Sequence, residues 1–440
     1  MLLVMVLKSI VAARRLGLSN SSFWFFAVLV LLTNLSGVVS QFNGGRTESL
    51  TTIGQSVVTM PASATFAASL VVPGLMLGSF FYMFRQGTRN MRINAGAFCY
   101  FMVLVFAGMG SLNAGFPFLE GSKFALFATA LALIFAPRNL NGLVGAAHAL
   151  GILVALSAIL ALFDPKTVAE VCGERKCGLL GSLYNGIYFN FNGFGLLMAV
   201  AVPVLYFGMI RYRGAFVFAA VFMTGASGSR TSQIAAALVF LLIILFEYSR
   251  HRARRVVIFL SVASAVGAVG ATIALPLIGL PGDSFTGRVN LWNDALGRLR
   301  ESPLVGFGPD SWASLQQIGL ITRASAYATH NQFVETLYVS GTLGLIAMTG
   351  VFVAVVHANR GYLGQLAILL FPVLMIAATE RPWSLGPPDW LSWSLLLTVC
   401  TSFAGWEDLS GSLKRSKCSL RAKPALTTQA LPWLNQTFKA

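Results

Sequence analysis

Three side chains stand out for the chemistry they could do together. Arg230 closes the run Ser227-Gly228-Ser229-Arg230 just before an apolar stretch. Arg288 opens a segment with helical spacing, and His330 begins another long apolar stretch. An arginine suits a phosphate group because its planar fork donates to two oxygens at once and stays charged. At a helix N-terminus it adds the positive end of the backbone dipole. Two arginines could hold a diphosphate, and a histidine beside a hydroxyl could take its proton at neutral pH. Each residue alone also has a plainer reading. An arginine at the end of a membrane span commonly snorkels to the interface, and a histidine there commonly caps or faces water.

The segments that would position these residues are dominated by apolar runs. Of 440 residues 56% are hydrophobic and only 10% charged, with mean hydropathy +0.73. A soluble domain carries roughly a quarter charged residues, so this chain needs lipid around it. Runs long enough to cross a bilayer are read at 22–40, 62–84, 94–111, 122–136, 140–163, 193–210, 214–229, 231–248, 256–280, 332–356, 362–379 and 389–405. The expectation is an all-α polytopic membrane protein with about 12 transmembrane helices. Residues 1–180 form N-terminal spans, 181–405 a core with a long loop at 281–331, and 406–440 a basic tail. Arg14 and Arg15 followed by Phe23 to Val39 and Ser40 look like a secretory signal. The apolar run is long for one and further spans follow, so it reads as an uncleaved first span.

The net charge of +16 would by itself suggest nucleic acid. Its distribution says otherwise, because the cations cluster in short links between spans, as membrane orientation requires. With the N-terminus in the cytoplasm, 20 of the 31 Lys and Arg residues fall on the cytoplasmic side, against Glu247, Glu407 and Asp408. Anionic lipid headgroups are the partner this predicts for the tail. The outer face then holds 164–192, the Ser227–Arg230 turn, 281–331 and Glu380 to Pro388, and both termini are cytoplasmic. In 281–331, Val289, Trp292, Ala295, Leu296 and Leu299 recur with helical period. They predict an amphipathic helix over 288–301, capped by Ser284 or Thr286, stopped by Pro303 and lying at the membrane surface. Gly306-Phe307-Gly308-Pro309-Asp310 follows, a turn-rich stretch whose backbone can come close to a ligand. Asn331 stands next to His330 and joins Arg230, Arg288, Gly306 and Gly308 as a candidate substrate-binding residue.

Familiar catalytic signatures are missing: there is no P-loop, HExxH, GxSxG or dinucleotide fingerprint. The four histidines, at 148, 251, 330 and 357, form no metal-ligand cluster in the sequence, and no cofactor is expected. Cys99 and Cys400 lie in apolar runs and Cys418 in the tail. Cys172 and Cys177 share one short loop, too few thiols for a closed zinc site. If that loop lies outside the cytoplasm, a disulfide is expected.

Taken in order, these pieces resemble the O-antigen ligase and polymerase superfamily of bacterial membrane proteins. Asn185-Gly186-Ile187-Tyr188-Phe189-Asn190-Phe191-Asn192 resembles its Asn-rich segment before a middle span. Ser227 to Arg230 resembles its Ser-Arg turn. Gly287, Arg288, Trp292 and Pro303 to Gly308 resemble its periplasmic loop signature. His330, Asn331, Glu335, Gly341, Gly344 and Leu345 resemble its His-Asn entry into the next span. The motif-bearing part covers roughly residues 180 to 380. The resemblance implies a metal-independent membrane glycosyltransferase of the all-helical, GT-C-like class in the bacterial inner membrane. Its donor would be a glycan on undecaprenyl diphosphate, and its acceptor lipid A-core or a growing polysaccharide such as an exopolysaccharide. Arg288 and Arg230 would hold the diphosphate, and His330 would position or deprotonate the acceptor hydroxyl. A transporter or flippase for lipid-linked sugars is the alternative. It should carry charges deep inside its spans, whereas here they crowd at span ends.

Overall fold

The computed structural model describes every residue except 43–46, 51–55, 60–61, 87–92, 119–121, 164–168, 173–176, 189, 210, 250, 283, 318–327, 387, 405 and 407–440. The basic tail therefore lies almost wholly outside the described residues. The chain divides into two units, Met1–Phe403 and Ala404–Ala440, and the helix bundle is the first of them.

In chain order the helices are α1 (Leu2–Arg15), α2 (Ser21–Phe42), α3 (Ala62–Gln86), α4 (Ala95–Asn113), α5 (Ser122–Leu133), α6 (Asn141–Phe163), α7 (Phe191–Gly208) and α8 (Arg213–Ser227). Then come α9 (Arg230–Tyr248), α10 (His251–Ala274), α11 (Ser284–Arg298), α12 (Ser311–Gln317), α13 (Gln332–Ala358), α14 (Leu363–Ala377) and α15 (Ser392–Cys400). Two small antiparallel hairpins, Thr47–Leu50 with Ser56–Thr59 and Ala169–Glu170 with Leu183–Tyr184, sit in the links. The protein is an all-α polytopic membrane protein, as its apolar runs require.

Among the described residues nine helices are long and apolar enough to cross a membrane: α2, α3, α4, α6, α7, α9, α10, α13, and α14 together with the 3-10 turn Arg360–Tyr362 that leads into it. The other three expected spans form shorter helices. α5 and α8 have 12 and 15 residues and α15 has 9. At 1.5 Å per residue these fall short of a hydrocarbon core of about 30 Å. The chain before α15 holds Pro382, Pro387 and Pro388, which deny a helix its backbone donors. α1 forms one further helix beyond the expected spans. It docks by Val6, Ser9 and Ala13, and the Ser9 hydroxyl bonds His148 Nε2 of α6 at 2.9 Å.

The centre is set by the helices that are apolar all round. In α7 83% of the span is buried and in α14 72%, against 22% for α10 and 28% for α3, which lie at the periphery. α6 packs on α1, α2 and α7, so packing is continuous across residue 180. α4 lies against α13, α10 against α14, and α7 against α8 and α9.

α13 is not one straight rod. Gly341 has φ 65 and ψ −167, which no helix interior adopts, and breaks α13 after Ser340. Trp383 pairs its backbone with the Gln332 side chain (N to Oε1 3.0 Å, O to Nε2 3.2 Å). Its ring also lies 5.7 Å from that of Phe352. Twenty helical residues would separate positions 332 and 352 by about 30 Å if straight, so the two halves bend toward each other. The backbone groups freed at the break are taken up by the loop. Phe307 and Gly308 N–H donate to the Tyr338 and Val339 carbonyls at 2.8 and 3.0 Å. Thr342 and Leu343 N–H donate to those of Pro303 and Leu304 at 2.9 and 3.1 Å.

Candidate active site at one end of the bundle

α9 and α10 are joined by a two-residue link, as are the neighbouring spans by short turns, so they run antiparallel. The start of α9, the end of α10, the start of α13 and the end of α14 thus share one end of the bundle. Hydrogen bonds tie this end together. Asn331 caps α13 by accepting from Val334 N–H at 3.0 Å. Its amide donates to the Thr272 carbonyl at the end of α10 and the Ala378 carbonyl after α14, at 3.0 and 2.9 Å. Asn331 is completely buried, and both amide protons serve this staple.

His330 lies immediately before, in the left-handed region at φ 54. A non-glycine residue there costs about 1–3 kcal/mol and persists only where its surroundings impose it. Thr329 helps to impose it: its hydroxyl donates to Glu335 Oε2 at 2.9 Å and its carbonyl accepts from Trp292 Nε1 at 2.8 Å. His330 is buried and turns Nδ1 to Glu380 Oε2, 2.9 Å away. The other oxygen, Glu380 Oε1, accepts from Arg288 Nη2 at 2.5 Å, and Arg288 Nη1 donates to the Thr379 carbonyl. One carboxylate therefore joins the two residues from which chemistry was expected. Burial alone would raise the Glu380 pKa. The His330 hydrogen bond and the Arg288 charge outweigh it and hold the carboxyl below its ordinary range. Beside this triad Arg381 bridges to Glu335, with Nη1 to Oε1 at 3.0 Å. The neighbours Glu380 and Arg381 thus take different partners rather than each other.

Arg288 reaches Glu380 from α11. Phe285 and Gly287 have positive φ (51 and 83), so the regular right-handed run begins at Arg288. The expected helix is there, ending at Arg298. Its apolar face packs on protein. Val289, Leu291, Trp292 and Ala295 are buried against the protein, with α13 as neighbour. Arg288 and Glu380 remain part-exposed, at 23% and 21% of their side chains.

Gly306 and Gly308 approach closely, but what they approach is protein backbone. Both have positive φ (68 and 75). A Cβ on Gly306 would stand 2.8 Å from Gly341 N, and one on Gly308 would stand 2.5 Å from Ser111 N. On the α4 side, a Cβ at Gly110 would meet Val305 O at 2.5 Å and Val339 O at 2.8 Å. Three chain segments cross here with no room for side chains. Phe307 and Trp312 then pack their rings on Tyr338, 5.2 and 5.0 Å between centroids.

Arg230 is the exposed first residue of α9, after the Ser229 N-cap, at the same end of the bundle. Next to its turn sits the 177–184 segment: Leu179 N–H donates to the Gly225 carbonyl at 3.1 Å. Cys172 and Cys177 are disulfide-bonded there. Asn190 caps α7, accepting from Asn192 and Gly193 N–H at 2.7 and 3.3 Å.

Sequence reasoning singled out His330 and Arg288 but not the group that joins them. Glu380 lies 50 residues beyond His330, in a link whose one signal was an acidic and a basic residue side by side at a span end.

Fold and site together define an all-helical, multi-pass membrane protein with a part-exposed charged cluster where four helix ends meet. The family comparison sharpens this: residues 214–349 match the family model described as O-Antigen ligase. The match covers less than a third of the chain, and it makes that segment similar to the O-antigen ligase family. The matched stretch contains Arg230, Arg288, Gly306, Gly308, His330 and Asn331 and stops short of Glu380. No curated protein matches the chain, and no solved structure does.

Proposed function

We propose that the protein transfers a glycan from an undecaprenyl-diphosphate-linked donor to a sugar hydroxyl, on the periplasmic face of the bacterial inner membrane. The acceptor is lipid A-core or a growing polysaccharide chain. The observation that carries this reading is the triad Arg288–Glu380–His330, a cation and an imidazole held on one carboxylate at a part-exposed helix-end cluster. With Nδ1–H directed at Glu380, His330 presents Nε2 as the proton acceptor. The acceptor oxygen forms a bond to the anomeric carbon as the bond from that carbon to the diphosphate oxygen breaks. The acceptor proton goes to Nε2, and the pair of electrons leaves with undecaprenyl diphosphate.

Arg288 meets the diphosphate with the guanidinium N–H groups not used on Thr379 and Glu380. Arg230 supplies a second cation from the start of α9. Positive groups placed where negative charge develops on the leaving group do the work that a metal ion does elsewhere. Asn331 holds His330 in place, and Gly306 and Gly308 shape the wall through backbone packing. The disulfide between Cys172 and Cys177 belongs to the same oxidising, outer side.

The test is complementation of a gene deletion in the native host with wild type, Arg288→Ala or His330→Ala, reading surface polysaccharide on gels. Both variants should leave the deletion phenotype uncorrected while the protein accumulates in the membrane. Normal polysaccharide from both would sink the assignment. In the deletion, accumulation of long lipid-linked glycan means ligation, and accumulation of single repeat units means polymerisation.

A further inference from the structure

A cavity of about 260 Å³ lies remote from the charged cluster. It is a groove between α2 and α3, floored by the buried side chains Leu29, Leu75 and Tyr82. Its α3 wall is opened by Gly78, where an added Cβ would meet nothing within 4 Å. Hydrogen bonds locate it along the bundle. Ser22 bonds Tyr82 and receives a bond from Asn139 Nδ2, at 3.1 and 3.2 Å. Asn139 N–H donates to the Cys400 carbonyl, and Asn359, at the far end of α13 from Asn331, donates to that of Thr401. The Ser21 end of the groove is therefore at the bundle end opposite His330.

The groove runs from Ser21 to Leu32 along α2 and from Arg85 to Gly74 along α3. Eleven helical steps make about 16 Å, and one leaflet of hydrocarbon is about 15 Å deep. Its lining is apolar along that depth and becomes polar at one end, where Ser21 and the exposed Arg85 stand. Trp24 and Tyr82 lie toward the same end, the level at which amphipathic rings favour the membrane–water boundary. The sequence from 85 to 92 carries Arg85, Arg89 and Arg92 and no acidic residue.

We propose that this groove is a binding site for one anionic phospholipid of the leaflet opposite the charged cluster, with an acyl chain lying between α2 and α3 and the phosphate on Arg85. The proposal is independent of the transfer reaction. Depth selects a single chain, the missing side chain at Gly78 makes room for it, and the cationic mouth selects a negative headgroup.

The full-length protein is reconstituted in phosphatidylcholine nanodiscs doped with phosphatidylglycerol, and lipid retained per protein is counted after detergent extraction by native mass spectrometry. Wild type should retain one phosphatidylglycerol. Arg85→Gln should weaken its retention about fivefold, the worth of about 1 kcal/mol for one interfacial cation, without changing retained phosphatidylcholine. Gly78→Phe fills the groove and should abolish retention of both. If it does not elute as folded monomer, Val28→Trp closes the groove from α2 and is read instead. Inorganic phosphate alone should not compete. Unchanged phosphatidylglycerol retention in Arg85→Gln and the groove-filling variant, or displacement by inorganic phosphate, overturns the proposal.

Discussion

Replacing Glu380 by glutamine keeps the shape of the side chain and removes the charge that Arg288 and His330 share. In the wild type each of its oxygens accepts one bond from a nitrogen, at 2.5 Å from Arg288 and 2.9 Å from His330. A hydrogen bond to a charged partner contributes about 1.5–3 kcal/mol where solvent is largely excluded. If the loss of one such bond falls on the transition state, the rate drops about 10- to 150-fold. Glu380 keeps 21% of its side chain exposed, which favours the lower half of that range. The amide also offers a donor to Nδ1, so the imidazole can adopt the tautomer with Nε2 protonated and useless as a base. The assay is the yield of surface polysaccharide in the complemented deletion strain, normalised to protein in the membrane, beside thermal unfolding of the purified variant. The sign of the pH dependence follows from the depressed carboxyl. Its contribution to stability is present above the ordinary glutamate range and is lost as pH falls through the lowered value. The gap in unfolding temperature between wild type and Glu380→Gln should therefore be widest near neutrality and close in acid below the ordinary range. Wild-type yield from Glu380→Gln would refute the idea that this carboxylate organises the site, as would a gap that widens in acid.

Gly308→Ala and Gly341→Ala should each destabilise the protein by at least about 2 kcal/mol, because each residue has positive φ and its Cβ would enter neighbouring backbone. Recovery of folded monomer from membranes at near wild-type yield would contradict the packing. Trp292→Phe removes the donor from the buried Thr329 carbonyl and should cost about 1–3 kcal/mol. It should also loosen α11 from the start of α13, read as faster proteolysis within 281–331, and unchanged protection would count against the coupling.

Much of the fold was legible because bilayer thickness imposes a length that hydropathy records directly. All twelve apolar runs became helices, yet α5, α8 and α15 stop short, for reasons of local backbone and neighbours that an apolar window does not register. α1 escaped notice because its docking face is only Val6, Ser9 and Ala13, a stripe too narrow to separate from its exposed leucines and valines. The charged cluster was half legible. Arg288 and His330 announce themselves by type and position, whereas Glu380 and Arg381 stand side by side in a link with nothing in the sequence to name the partner of either. Tertiary contact gave one to His330 and Arg288 and the other to Glu335. The glycines at 306 and 308 were read as places where backbone comes close to a ligand, and the structure sets them against the backbone of α13 and α4. What they approach was beyond reach, since a bare backbone fits a ligand and a broken helix equally well.

The break at Gly341 decides what can be moved between relatives by recombination. Cutting at the ends of the 281–331 loop would separate Phe307, Gly308, Pro303 and Leu304 from the four peptide groups of α13 that they complete. Each peptide group left unsatisfied in lipid costs several kcal/mol, so a grafted loop arrives with a debt its new host cannot settle. The exchangeable unit extends at least to Leu343 and must bring a residue without a side chain at position 110. Loop, helix and the facing turn of α4 are then inherited together, and any graft of the loop has to carry all three.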